Sequence, residues 1–440
     1  MRSQTCRLAC LIAWSGQATG LSINLGQYGG KLQQPILGPQ PGTVDAAPEA
    51  SHDSANDIPF PHQPFLRPGG FIALGDSYSA GIGTGFNGTE DDCRHGLHSY
   101  PQLINEDLVA SEGPNATTFQ FLSCTGSTIT DMLAGSDVSQ IDQFNTPDTT
   151  DFALLSIGGN DLGFFDIMNS CIFRFYSFYS GTCESALRKS EEAIEGPEFE
   201  HRLRIAIMEI LDMIHWEKRL WFTITVTGYA RFFNAETEEC DDYSFGVWWR
   251  GPKLKRELRQ RMNLMVDSVN GKIRRSIDSI NDDFLEPKVF FVDYDAEFEG
   301  HRFCEPGVVE PDYARNDTWF FLVGGEDNWP GQTANSTRAA VPSQLHQLSP
   351  ASPLVDPDTC LEPAEKSGDW GELALCMMAR AARDDPTLRT ASGDLSAANS
   401  MWYVPTYYGK TFHPRSLGHM AIRRQVYKLW EKLSRERPGF

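Results

Sequence analysis

Three apolar runs in this chain each end in a group suited to acyl chemistry, and a histidine stands near its C-terminus. Phe71-Ile72-Ala73-Leu74 is followed by Gly75-Asp76-Ser77, which offers a hydroxyl. Thr118–Leu122 is followed by Cys124-Thr125-Gly126-Ser127, where Gly126 offers a main-chain N–H that no side chain obstructs. Phe152–Ile157 is followed by Gly158-Gly159-Asn160-Asp161, where Asn160 offers a neutral amide donor that titration cannot remove. A serine nucleophile needs a base and donors aimed at the developing oxyanion, and these residue types meet that need. Gly, Asp and Ser are also ordinary turn residues, so the first stretch alone says little. The combination carries the reading.

The base is expected from His413 or His419. His413 precedes Pro414, which biases it toward an extended loop conformation, whereas His419 falls inside a helical pattern and reads as a packing residue. His413 is favoured. His301, in Gly300-His301-Arg302, is the third option for the base and reads rather as structural or as a residue at the edge of a substrate site. Asp76 reads as an acceptor that fixes the nucleophile turn.

These groups must be held at one edge of a sheet. Further strands are expected at Leu220–Val226 and Lys288–Val292, and helices at Ser99–Val109, Glu198–Trp216, Leu254–Ile280 and Ser416–Leu433. Strands alternating with helices imply parallel crossovers, hence a three-layer α/β/α sandwich with a parallel five-stranded sheet. In such a sheet the carboxyl ends of the strands form the ligand edge. A large insertion is expected over about 302–408, before the C-terminal helix. It is rich in Pro, Ser, Asp and Gly, with a short helix at Trp370–Arg383, and could form a lid. The aromatic segments Phe164-Phe165, Ile172–Tyr179 and Tyr243–Trp249 could line an acyl site or pack the core.

Residues 1–20 read as a signal peptide: basic Arg2 and Arg7, an apolar Leu8–Trp14, then small residues. Residues 21–70 read as a flexible segment, and 71–440 as the folded domain. If Cys6 and Cys10 leave with the signal, eight cysteines remain, without CxxC spacing, as expected for disulfides in an oxidising compartment. Spacing leaves the connectivity open. The sequential pairing Cys93–Cys124, Cys171–Cys183, Cys240–Cys304 and Cys360–Cys376 is the expectation. Sequons at Asn87, Asn115, Asn316 and Asn335 are compatible with glycosylation. The net charge of −21 argues against nucleic acid and anionic membrane surfaces as partners. No run approaches a membrane-spanning length. No metal or cofactor is expected, and a monomer is.

Taken in order, Gly75-Asp76-Ser77, Cys124-Thr125-Gly126-Ser127, Gly158-Gly159-Asn160-Asp161 and His413-Pro414 resemble the four blocks of the SGNH hydrolase superfamily, the GDSL esterases and lipases. GDSYSAGIGTG (75–85), the cysteines and Gly300-His301-Arg302-Phe303-Cys304 are similar to the secreted streptomycete-type members. The resemblance implies a flavodoxin-like sandwich and metal-independent ester hydrolysis through an acyl-enzyme. It assigns Ser77 and His413 to catalysis, and Ser77, Gly126 and Asn160 to the oxyanion hole. Where many members carry Asp three residues before the histidine, this chain has Lys410, whose side chain cannot accept from an imidazole N–H. The streptomycete-type members imply the Lys410 main-chain carbonyl in that role. A carboxylate from Asp293, Asp295 or Asp394 is the alternative. The expected substrate is a small-molecule or lipid ester. An acyltransferase with the same residues, or an inactive binding protein, are the other readings.

Overall fold

The computed structural model describes residues 69–85, 90–113, 117–174, 182–247, 251–330, 355–385, 387 and 405–436. The expected signal segment, nearly all of 21–70, Asp394 and the sequons at Asn87, Asn115 and Asn335 lie outside them.

Short runs with turn residues at both ends form five strands, of which the first, third and fourth are buried along their whole length. They are β1 (Gly70–Gly75), β2 (Thr118–Phe121), β3 (Phe152–Ser156), β4 (Thr223–Thr227) and β5 (Val289–Val292). All neighbours are parallel, in the order β2-β1-β3-β4-β5. Register sets Phe71 beside both Phe119 and Phe152, and their rings stack at 4.4 and 4.8 Å. Burying such rings together favours this register over a slip, which would turn them to the opposite face. The order places β1 between β2 and β3, at the point where the chain reverses its direction of winding. A doubly wound sheet binds ligands there.

Helices cover the sheet in a three-layer α/β/α arrangement. The α3 helix (Cys183–Glu195), α4 (Glu198–Ile214) and α5 (Arg256–Asn281) pack on one another. Likewise, α2 (Tyr100–Glu112) packs with α8 (Ser416–Glu436). In α4, Leu203, Ile207, Ile210, Leu211 and Ile214 are buried, as the period of the sequence requires. Trp430 of α8 lies edge-on to Phe152 and donates to Thr225 Oγ1 at 3.0 Å, which fastens that helix to the sheet.

Three elements depart from the sequence reading. Strand β4 starts at Thr223, because Arg219–Phe222 close a turn that leaves Leu220 and Trp221 exposed. The α3 helix was not foreseen. It buries Ala186, Leu187, Ser190 and Ile194 in an otherwise charged stretch, too sparse a stripe to stand out. Within the expected insertion, 302–305 and 318–322 pack into the core: Phe303 bridges to Phe233 and Phe320 to Pro414, with Phe303, Phe320 and Phe321 buried. The remainder includes α6 (Leu361–Ser367) and α7 (Trp370–Asp384). The disulfides are Cys93–Cys124, Cys171–Cys183, Cys240–Cys304 and Cys360–Cys376, the last joining α6 to α7.

Candidate active site

The site begins where β1 ends. Gly75 has φ +131, and a Cβ there would lie 1.9 Å from the Ser156 carbonyl, so only glycine lets β1 and β3 close at this point. Asp76 then caps the short α1 helix (Ser77–Ala80), accepting the Tyr78 N–H at 3.0 Å. Its other oxygen accepts the Tyr229 hydroxyl at 3.0 Å, and that hydroxyl oxygen accepts the Gly159 N–H at 3.0 Å. One buried carboxylate therefore ties the nucleophile turn to the ends of β3 and β4. Ser77 emerges from this turn with Oγ 2.6 Å from His413 Nε2, a hydrogen bond across 336 residues of chain.

The glycine and asparagine loops meet the same turn through Gln140. Its Nε2 donates to the Gly75 carbonyl at 2.7 Å and to Ser127 Oγ at 3.1 Å, while Oε1 accepts the Gly75 N–H at 2.8 Å. Asn160 Nδ2 donates one hydrogen to the Ser127 carbonyl at 2.9 Å, and its second N–H remains for another acceptor. Gly126 has φ +91, again a conformation that suits glycine. Ser77, Gly126 and Asn160 thus follow three adjacent strands, with their loops cross-linked by hydrogen bonds.

The histidine is held by its own turn. Phe412 adopts φ +63, its carbonyl accepts the Tyr78 hydroxyl at 2.8 Å, and the His413 carbonyl accepts the Phe321 N–H at 3.0 Å. The imidazole Nδ1 faces the Thr411 carbonyl at 3.1 Å. This corrects the expectation for Lys410: its carbonyl accepts the His413 main-chain N–H at 3.0 Å, because the turn folds the ring back over residue 411. Asp293 pairs with Arg274, and Asp295 with Arg231 and Arg302; neither is bonded to His413. His419 is buried in α8, where Nδ1 accepts the Tyr100 N–H at 3.2 Å. His301 stacks on Trp319 at 3.8 Å, a structural position.

Burial dominates the electrostatics. It lowers His413 to about 4, with the carbonyls of Thr411 and Lys410 pulling the other way, so the ring is neutral at pH 7. It raises Asp76 to about 7, against the hydrogen bonds from Tyr78 and Tyr229, and Asp161 to about 6. Lys410 falls to about 8 for the same reason, and its ammonium lies 4.8 Å from the centre of the Phe321 ring. A neutral imidazole hydrogen-bonded to a hydroxyl can accept its proton, and the neighbouring loops offer neutral donors to a developing oxyanion. Among the described residues, no group of three His, Cys, Asp or Glu side chains gathers to hold a metal.

An apolar cavity opens beside Tyr78 and Gly159. It is walled by Leu162, Phe164, Tyr229 and Phe232, and by Met262 and Val266 of α5. Its free volume is about 70 Å³, a narrow apolar slot. Phe164 therefore faces the site, whereas Phe173 and Phe245 pack around Phe412 in the core. Residues 175–181 and 248–250 lie outside the described chain.

Sequence reasoning missed Gln140 and Thr411, and assigned no role to Tyr229. Tyr229 follows β4 as Ser77 follows β1, so the strand-end argument could have found it. Gln140 sits in a surface-like polar segment with nothing to mark it.

No family model matches the chain. Over 171 residues it is 30% identical to Lipase 1 of Streptomyces coelicolor, covering 38% of this chain and 55% of that protein. It is 28% identical over 243 residues to a lipase of Streptomyces rimosus, covering 55% of this chain and 75% of that protein. The chain thus spans little more than half the length of the first relative. Compared with the crystal structure of phospholipase A1 from Streptomyces albidoflavus, it is 25% identical at a TM-score of 0.41, over 60% of this chain and 90% of the other.

Proposed function

We propose that this chain, a member of the SGNH hydrolase superfamily, is a secreted serine carboxylic ester hydrolase that works through an acyl-enzyme. The observation that carries the reading is the 2.6 Å contact between Ser77 Oγ and His413 Nε2 at the carboxyl edge of the sheet. Ser77 Oγ attacks the ester carbonyl carbon while His413 Nε2 takes its proton. The oxyanion is met by the N–H groups of Ser77 and Gly126 and by Asn160 Nδ2; one such donor is worth ~3 kcal/mol. His413 returns the proton to the departing alcohol, then takes one from the water that releases the acid. The Thr411 carbonyl holds the Nδ1–H tautomer, which leaves Nε2 free to accept.

The apolar cavity beside Tyr78 supports an aliphatic acyl group, and thus a lipid or similar ester, as substrate. Four disulfides support a working place outside the cell, in an oxidising medium. The relatives named as lipases agree with this reading. The test is a chain-length series of p-nitrophenyl esters on the protein and on Ser77→Ala. Turnover should fall by roughly 10⁴ or more in a folded variant. Retained turnover in the alanine variant would overturn the assignment of Ser77.

A further inference from the structure

We propose that the α6–α7 hairpin, Leu361–Asp384, is a lid that closes the Ser77 site and is latched by a buried ion pair between Arg94 and Asp369. This inference rests on the ester-hydrolase reading above. The main chain at Gly368 lies directly on the glycine of the oxyanion loop: a Cβ on Gly126 would stand 2.7 Å from the Gly368 carbonyl oxygen and 3.1 Å from the Asp369 nitrogen. The next residue, Trp370, sets its ring 5.4 Å from that of His413, and 5.5 and 6.0 Å from those of Phe164 and Phe165. Under this cover Ser77 is 5% and His413 2% exposed. An ester carbonyl must sit within reach of both Ser77 Oγ and the Gly126 N–H, so turnover requires the hairpin to move.

The closed position has a specific fastening. Arg94, on the loop held by Cys93–Cys124, approaches Asp369 with Nη1 2.5 Å from Oδ2, and both side chains are buried. Glu372 lies 3.5 Å and Glu90 3.6 Å from the same guanidinium. Asp369 Oδ1 also caps α7, accepting the N–H groups of Gly371 and Glu372 at 2.7 and 3.2 Å. One carboxylate therefore starts the lid helix and binds it to the domain. Against this, the buried Trp370 indole N–H finds no acceptor among the described residues, which lowers the advantage of the closed form. The face that α7 hides is apolar (Trp370, Ala374, Leu375, Met378, Ala381), so closure is favoured in water.

The test measures access to Ser77 separately from turnover. Asp369→Asn keeps an oxygen for the helix cap but removes the charge opposite Arg94. A small water-soluble organophosphonate should label Ser77 at least about tenfold faster in this variant than in the unmodified chain, read by mass spectrometry. Amide exchange in 370–384 should rise while that of β1 and β3 stays unchanged. Trp370→Ala, which removes the ring beside His413, should also speed labelling. Equal labelling rates with a loosened hairpin would overturn the lid, and unchanged exchange in Asp369→Asn would overturn the latch. Absence of both labelling and ester turnover in every form would instead overturn the catalytic reading beneath it.

Discussion

Replacing Asp76 by Asn should reverse the order of stability between variant and parent as pH rises. The carboxyl is held at about 7 by burial, against an ordinary 3.8. At about 1.4 kcal/mol per pKa unit, that rise corresponds to about 4 kcal/mol. Because the folded state binds this proton more tightly than the unfolded chain, the contribution is fully present below 3.8 and is lost as pH climbs through about 7. Asn carries no proton to lose, so the variant lacks this decline. It has its own defect: an amide nitrogen opposite Tyr229 donates where Oδ2 accepted, leaving a buried hydroxyl hydrogen without a partner, at a cost of about 1–3 kcal/mol. Near pH 4 the variant should be the weaker protein by that amount. Near pH 8 it should match or exceed the parent, a swing of about 4 kcal/mol. Urea unfolding at several pH values with disulfides intact measures the difference directly, and the titration of His413 and His419 cancels between the two proteins. A stability difference that stays constant across this range would refute the reasoning.

Asn160→Asp should be slower than Asn160→Ala at neutral pH, because an ionised carboxylate repels the oxyanion that the amide serves; an aspartate variant equal to the alanine one in kcat would remove Asn160 from the hole. With His413 held at about 4, kcat/KM should rise with pH through that value and then level off, and a midpoint near 6.5 would show that the buried ring is not the reacting one. His413→Ala should abolish turnover, whereas His419→Ala should lower Tm with kcat retained; the opposite pattern would exchange their roles. Asp293→Asn and Asp295→Asn should each change kcat by only a few-fold, although the second should destabilise the protein by leaving Arg302 short of a partner. A loss near 10⁴ in either would install that residue as the third catalytic member in place of the Thr411 carbonyl.

The sheet was legible because β1 and β3 are apolar runs that run into glycine turns, and β2, β4 and β5 are short β-branched or aromatic stretches between helical patterns. The strand ends single out Ser77, Gly126 and Asn160 as candidates, and the proline after His413 separates it from the helical His419. The orienting carbonyl was misplaced by one residue because a main-chain oxygen carries no residue type; only the αL turn at Phe412 decides which carbonyl the ring meets. Gln140 escaped notice for a related reason. Its importance lies in bridging two strand ends that are neighbours only once β1 and β2 pair. The cover over the site was legible as an insertion but not by extent, since 302–305 and 318–322 join the core through aromatic contacts with distant parts of the chain.

The proposed catalytic set also bears on how the protein reaches its native state. Ser77 follows β1, whose partner strands come from later in the chain, and His413 arrives 336 residues downstream. Parallel pairing of this kind has no hairpin to nucleate it, and contacts of high sequence separation form slowly. Helices such as α4 and α5 can gain their backbone hydrogen bonds locally and early. Recovery of esterase activity after dilution from denaturant should therefore lag the recovery of helical circular dichroism, and the lag times the docking of α8 and the His413 turn onto a sheet already formed.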